Sequence, residues 1–207
     1  PLSRESPVSL LLAMCLFAFS MSASPGPVNL VCLSAGVNYG FWRTQPYVLG
    51  ATTGFVLLLI MVGLGVGEVA TQSRLFMTIL AYGGTLFICY MGYKIAVSTK
   101  QLKVENSSSP SFLQGFTLQW LNPKAWVAAF SGVTAFNVSI EDNSLAIFSS
   151  LYFLVCYFSI ALWALAGDQI NQFLAEEGRL GLFNRIMGGI LVLVGLYLLF
   201  LQLTRSV

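Results

Sequence analysis

Six long apolar stretches alternate with short polar connections along the chain, at 8–36, 47–67, 75–97, 112–136, 145–167 and 182–203. Each exceeds the run of about 18 residues with few charges that marks a membrane-spanning candidate. At about 1.5 Å per residue, each covers a hydrocarbon core about 30 Å thick. The longest connection, 98–111, holds Lys100, Lys103, Glu105 and Asn106 before a serine run that ends at Pro110, and it marks the midpoint of the chain. The connection 168–181 carries Asp168, Glu176, Glu177 and Arg179 and reads as a short amphipathic link. The pattern predicts an all-α, polytopic membrane protein: one transmembrane domain, 1–207, of six helices. The first stretch also fits a second reading, a signal peptide with Arg4 as basic flank and Ser22-Ala23-Ser24 as cleavage zone. Against that, apolar sequence resumes at Val28.

Two of the six stretches carry helix breakers. In Ser24-Pro25-Gly26-Pro27-Val28-Asn29, two prolines flank a glycine. Proline lacks an N–H and clashes with the preceding turn, so the helix must stop and restart. Pro27 suits the first turn of the new half-helix, with Ser24 or Gly26 to cap it. The new N terminus presents free N–H groups and partial positive charge, which suit a carboxylate. The second break is Gln119-Trp120-Leu121-Asn122-Pro123-Lys124. Lys124 falls near the centre of the fourth stretch, where a lysine costs about 2.5–3.5 kcal/mol to insert. It must face a cavity, snorkel, or pair with a group such as Asp168.

The breaks at Pro25 and Pro123 occupy corresponding places in the two halves, and Gly83-Gly84 and Gly188-Gly189 each open an apolar run that carries a tyrosine, Tyr93 or Tyr197. Halves of three helices, about 1–105 and 106–207, have opposite orientations because three is odd. The sequence therefore predicts two inverted three-helix repeats with helices 1 and 4 broken by proline, an architecture of secondary transporters whose sites lie where broken helices meet.

Composition narrows the function classes. Hydrophobic residues make up 57% and charged residues 9%, against about 25% charged in a soluble domain; the mean hydropathy is +0.79. The ten basic residues are scattered and the net charge is +2, so no face is basic enough for nucleic acid. The absence of histidine excludes His–metal sites, His-ligated haem and His acid–base catalysis. No phosphate-loop motif occurs, and Gly63, Gly65 and Gly67 read as helix packing. Cys15, Cys32, Cys89 and Cys156 lie inside predicted spans with no CxxC pair, and read as small buried apolar residues; a thiol-relay oxidoreductase needs cooperating cysteines. No metal, cofactor or catalytic group is expected, and the chain is not read as an enzyme. Lys and Arg near the helix ends favour the face of Arg43, Lys94, Lys100, Lys103, Arg179 and Arg185 over that of Arg4, Arg74 and Arg205. By the positive-inside rule both termini lie outside the cytoplasm.

The residues expected to hold a zwitterionic solute are Ser24, Pro25, Gly26, Pro27 and Asn29 at one break, and Gln119, Asn122, Pro123 and Lys124 at the other. Backbone N–H groups and Lys124 suit the carboxylate. Freed carbonyls, Asn29 and Asn122 suit the ammonium. Thr134, Tyr90, Trp163 and Asp168 are weaker pathway candidates. Gly50, Gly54, Gly83 and Gly84 suit close helix sliding, and the small-residue faces serve either internal packing or a homodimer seam.

These residues carry a resemblance. Ser24-Pro25-Gly26-Pro27-Val28-Asn29 resembles the signature of the first helix of the LysE/RhtB amino-acid exporters, and Leu121-Asn122-Pro123-Lys124 resembles that of their fourth. The run from Ala81 to Lys94 is similar to their third helix. Gly132-Val133-Thr134-Ala135-Phe136 and Trp163-Ala164-Leu165-Ala166-Gly167 resemble the cysteine/O-acetylserine exporter branch. The resemblance implies a bacterial inner-membrane exporter of amino acids or derivatives, an antiporter driven by the proton gradient. One departure stands out: many members place an aspartate after the glycine of helix two, where this chain has Phe55 after Gly54. A membrane thiol oxidoreductase and a passive small-solute channel are the alternatives.

Overall fold

A computed structural model describes residues 7–65, 73–97, 109–141, 143–174 and 179–205. Among these the chain is helical throughout: α1 (Pro7–Ala23), α2 (Pro27–Tyr39), α3 (Phe41–Gly63), α4 (Arg74–Ala96), α5 (Phe112–Trp120), α6 (Pro123–Ala135), α7 (Ser144–Leu174) and α8 (Arg179–Arg205). Among the described residues three helices are long and apolar enough to cross a membrane: α3, α7 and the stretch Arg179–Phe200 of α8. The pair α1 and α2, bent by 64° across Ser24–Gly26, makes a fourth if counted as one span.

The predicted stretches differ from these helices at their ends, for physical reasons. The second begins earlier, at Phe41, and takes Pro46 inside the helix. Pro46 sits in the second turn and is exposed, and side chains bond the neighbouring carbonyls: Thr44 Oγ1 donates to Gly40 O at 2.8 Å and Gln45 Nε2 to Phe41 O at 3.1 Å. The fifth runs on beyond Gly167 to Leu174. Asp168, expected to close that helix, therefore lies within it. A polar stretch can leave the apolar slab and stay helical, because helix backbone needs no apolar face to continue. Glu68, Gly67, Lys100, Lys103, Glu176 and Glu177 fall outside the described residues, as does Arg4.

Three crossings hold the bundle: α2 on α7, α3 on α5, and α4 on α8. Each is made by glycines that bring backbones together. A Cβ on Gly36 would collide with the Ala164 backbone, and one on Gly167 with that of Leu33. Gly50 meets the Phe112 backbone and Gly115 that of Tyr47; Gly188 meets Gly92. Between lipid-soluble helices there is little hydrophobic drive to associate, so close van der Waals approach through small residues supplies it. Gly54 and Gly84 join this pattern, against Phe116 and Leu121 respectively, whereas Gly83 makes only ordinary contact with Leu121 and Gly189 faces open space. The centre is filled by Tyr47, Leu58, Phe148, Tyr152 and Ile160, each at most 2% exposed.

Candidate solute site at the two helix breaks

Both breaks are built as proline restarts. Pro27 and Pro123 occupy the first turns of α2 and α6, where a missing N–H costs nothing and the fixed φ suits a helix. Breaking a helix orphans the last carbonyls of one piece and the first N–H groups of the next, and these must find partners within the protein wherever water is excluded. The carbonyls of Met21, Ser22, Ala23 and Ser24, at and just past the end of α1, are taken. Ser24 Oγ donates to Met21 O at 3.2 Å; Asn29 Nδ2 donates to both Ser22 O and Ser24 O at 2.8 Å; Trp163 Nε1 donates to Ala23 O at 3.1 Å. The end of α5 uses the same device, with Trp126 Nε1 donating to Trp120 O at 2.7 Å.

The two restarts differ at their N termini. Asn122 caps α6, its side chain accepting from Lys124 N at 3.1 Å. Gly26 precedes α2 with no side-chain cap, which leaves N–H groups of its first turn to meet an anion. Lys124 stands beside this uncapped end. Its Nζ donates to Ser24 O at 2.7 Å, and a Cβ on Gly26 would lie 3.5 Å from that Nζ. The ammonium thus rests on the carbonyl end of α1, where a helix dipole favours a cation, and beside the N terminus of α2, which favours an anion.

These groups open on one narrow cavity of about 30 Å³, whose polar lining is Ser22, Asn29, Gln119, Asn122, Lys124 and Tyr152. Met21, Gly26, Val28, Phe55, Cys156 and Ile160 are among its apolar walls. No carboxylate lines it, and no ion pair to Lys124 occurs among the described residues. Asp168 is not its partner: its carboxylate lies beside Gly40, at the far end of α2 from Gly26, and thirteen helical residues separate the two ends, about 20 Å at 1.5 Å per residue.

Of the residues singled out in the sequence, Gly26, Asn29, Gln119, Asn122 and Lys124 line this cavity. Ser24 contributes its carbonyl to Lys124; Pro25 is exposed, and Pro27 and Pro123 act through the backbone they redirect. The freed carbonyls expected to receive an ammonium already accept from Asn29, Trp163, Ser24 and Lys124. Trp163 braces the break and does not line the cavity. Tyr90 is 49% exposed, with Lys94 Nζ 5.8 Å from its ring centre, and Thr134 is exposed; neither reaches the site. Sequence reading missed the walls from α3 and α7: Phe55, Tyr152, Cys156 and Ile160. Phe55 stacks on Tyr152 with ring centres 4.4 Å apart, so the position that departs from the family pattern is a wall of the cavity itself. The four cysteines are free thiols.

The indole braces are testable. Trp163→Phe keeps an aromatic ring but strips Ala23 O of its donor, and an unsatisfied buried carbonyl costs about 1–3 kcal/mol. Thermal unfolding in detergent is expected to show that loss, with a similar one for Trp126→Phe.

The LysE type translocator family model matches residues 19–202, from the last turn of α1 into α8. The chain belongs to that family. It is therefore a translocator and not an enzyme, and both helix breaks and Lys124 lie inside the matched region. It is similar to the cysteine/O-acetylserine efflux protein of Escherichia coli (strain K12) and to that of Shigella sonnei (strain Ss046). Each is 25% identical over 176 residues, covering 83% of this chain and 89% of the relative. No solved structure matches the chain.

Proposed function

We propose that this LysE-type translocator is a secondary exporter of a zwitterionic amino acid or close derivative, of the cysteine/O-acetylserine kind, across the bacterial inner membrane. The observation that carries the reading is Lys124: a cation in the first turn of α6, beside the uncapped N terminus of α2, in a cavity with no carboxylate. Such a charge is costly in a bilayer unless an anion or an aqueous path meets it. A substrate carboxylate placed between Nζ and the N terminus of α2 satisfies both. Asn29 spends its amide donor on Ser22 O and Ser24 O, which leaves Oδ1 as acceptor for the ammonium, and the Tyr152 ring offers a face to the same cation. A small cavity with apolar walls from Phe55, Ala128 and Ile160 selects a short side chain, in keeping with the relatives' names.

Six spans in two inverted repeats fit this reading. Exchanging the halves carries α1 and α2 onto α5 and α6, α3 onto α7, and α4 onto α8. Under that exchange the packing of α7 on α1 and α2 corresponds to that of α3 on α5 and α6, and the α4–α8 crossing maps onto itself. Both termini then lie on the periplasmic face. With no carboxylate in the cavity, coupling to the proton gradient runs through a group elsewhere or through the solute's own ionisation.

Inverted vesicles supplied with labelled cysteine, O-acetylserine, threonine, lysine or leucine test the reading. Saturable transport of one or two, abolished by a proton uncoupler, is expected. Linear, uncoupler-insensitive flux would make the protein a channel. Alanine at all four cysteines is expected to leave the uncoupler-sensitive flux in place; its loss, with the protein still folded, would support a thiol relay.

A further inference from the structure

A second cavity lies along α2 from the first. It is lined by Val31, Ser34, Asn38, Met91, Lys94 and Gln114, among others, and has a volume of about 50 Å³. On α2, Val28 belongs to the first cavity and Val31, Ala35 and Asn38 to the second. At about 100° per residue these four share one face, and Val28 and Val31 differ by about 4.5 Å in height. α5 also borders both cavities: Gln114 lines the second and Gln119 the first, and Leu118, one turn on from Gln114, is fully buried. Val31 is 1% exposed. On α2 the two cavities thus lie a single apolar turn apart, at Val28 and Val31.

We infer that the second cavity is the vestibule through which a zwitterionic solute passes between the Lys94 face of the membrane and the Lys124 cavity, with Val31 as the gate. The inference rests on the reading of the Lys124 cavity as the transport site. The chemistry of the vestibule fits a small charged solute. Lys94 is exposed for the carboxylate, and Ser34 and Gln114 add polar side chains to the lining. Asn38 is held in place by a two-way amide pair with Asn184, 2.9 Å in each direction. The barrier to be opened is apolar and one turn thick, so a small displacement of α2 against α5 joins the cavities.

Cys156 is a thiol in the wall of the central cavity and reports on access without any solute. Vesicles of both orientations are treated with a membrane-impermeant, cationic methanethiosulfonate, and modification at Cys156 is followed by mass spectrometry. The Lys94 face is identified as the one from which an impermeant amine reagent reaches Lys94. Modification of Cys156 from that face is expected, faster by several-fold in Val31→Ala. In Val31→Trp it is expected to slow at least about tenfold, because an overfilled packed position resists displacement. Rates that do not depend on residue 31, or access from the opposite face only, would overturn the gate. Val31→Ala keeps the proposal falsifiable if the tryptophan variant does not fold. Because no solute is present, this outcome stands apart from whether the vesicles transport an amino acid.

Discussion

Lys124→Met is expected to abolish transport and solute binding while leaving the protein in the membrane at its normal level. The two parts of that expectation follow from separate energies. Removing a charged group from the interior of a membrane span relieves an insertion cost of up to about 2.5–3.5 kcal/mol. It also removes one charge-assisted hydrogen bond, to Ser24 O at 2.7 Å, worth about 1.5–3 kcal/mol. The two nearly cancel, so thermal stability should change little. Function has no such compensation. The cavity contains no other cation, and the α2 N terminus alone offers a carboxylate only about 0.3–1 kcal/mol at an exposed site and up to about 2 in a sheltered one. Lys124→Arg retains charge but not shape: a planar fork replaces a compact ammonium in a gap where the Lys124 Cδ and Nζ already stand 3.4 and 3.5 Å from a Cβ built on Gly26. Flux from the arginine variant should fall at least about tenfold. Efflux and equilibrium binding of the labelled solute, with surface-independent quantification of the inserted protein, measure all three properties. Wild-type flux in Lys124→Met would remove Lys124 from the mechanism.

The difference between what the sequence revealed and what it hid has a physical basis. Proline and glycine act on their own backbone, so the restarts at Pro27 and Pro123 were legible one residue at a time. A mid-span lysine is legible for the same reason, because its cost does not depend on knowing its neighbours. The walls of the cavity were not legible. Phe55, Tyr152 and Ile160 are ordinary apolar-span residues until α3 and α7 are placed, and nothing in their local sequence separates a cavity wall from a lipid-facing ring such as Phe158, which is 63% exposed. Tyr90 and Trp163 show the converse. Both were plausible pathway aromatics; one points outward and the other spends its N–H on a broken carbonyl. Accounting for orphaned backbone groups at a predicted break asks for donors near it, but only the fold could reveal that one of them comes from α7. The uncapped state of α2 was half legible: Gly26 has no side chain to cap with, whereas capping by Ser24 depends on where its hydroxyl turns, which is to Met21 O.

Gly36→Ala is expected to be among the most damaging of the conservative changes, although it adds one methyl group. In an isolated helix the substitution would help, since glycine costs about 0.5–1 kcal/mol relative to alanine in a helix interior. Here the new methyl is directed at the Ala164 backbone of α7, and the reciprocal position, Gly167, is directed at the Leu33 backbone of α2. Backbone cannot swing aside as a side-chain tip can, so the helices must part. Overpacking costs about 1–3 kcal/mol, and parting them also forfeits the van der Waals contact that holds membrane helices together. The damage reaches the site because α2 carries the uncapped N terminus beside Lys124 and α7 carries Tyr152, Cys156 and Ile160. Displacing one against the other reshapes the cavity as well as loosening the bundle. Gly189→Ala is the control, because a Cβ there meets nothing within 4 Å, and the gain in helix propensity should leave it neutral or slightly stabilising. Thermal unfolding in detergent and flux in vesicles should therefore separate the two alanines in opposite directions. Equal behaviour would mean that the α2–α7 crossing is not held by backbone approach, and that the cavity tolerates movement of its helices.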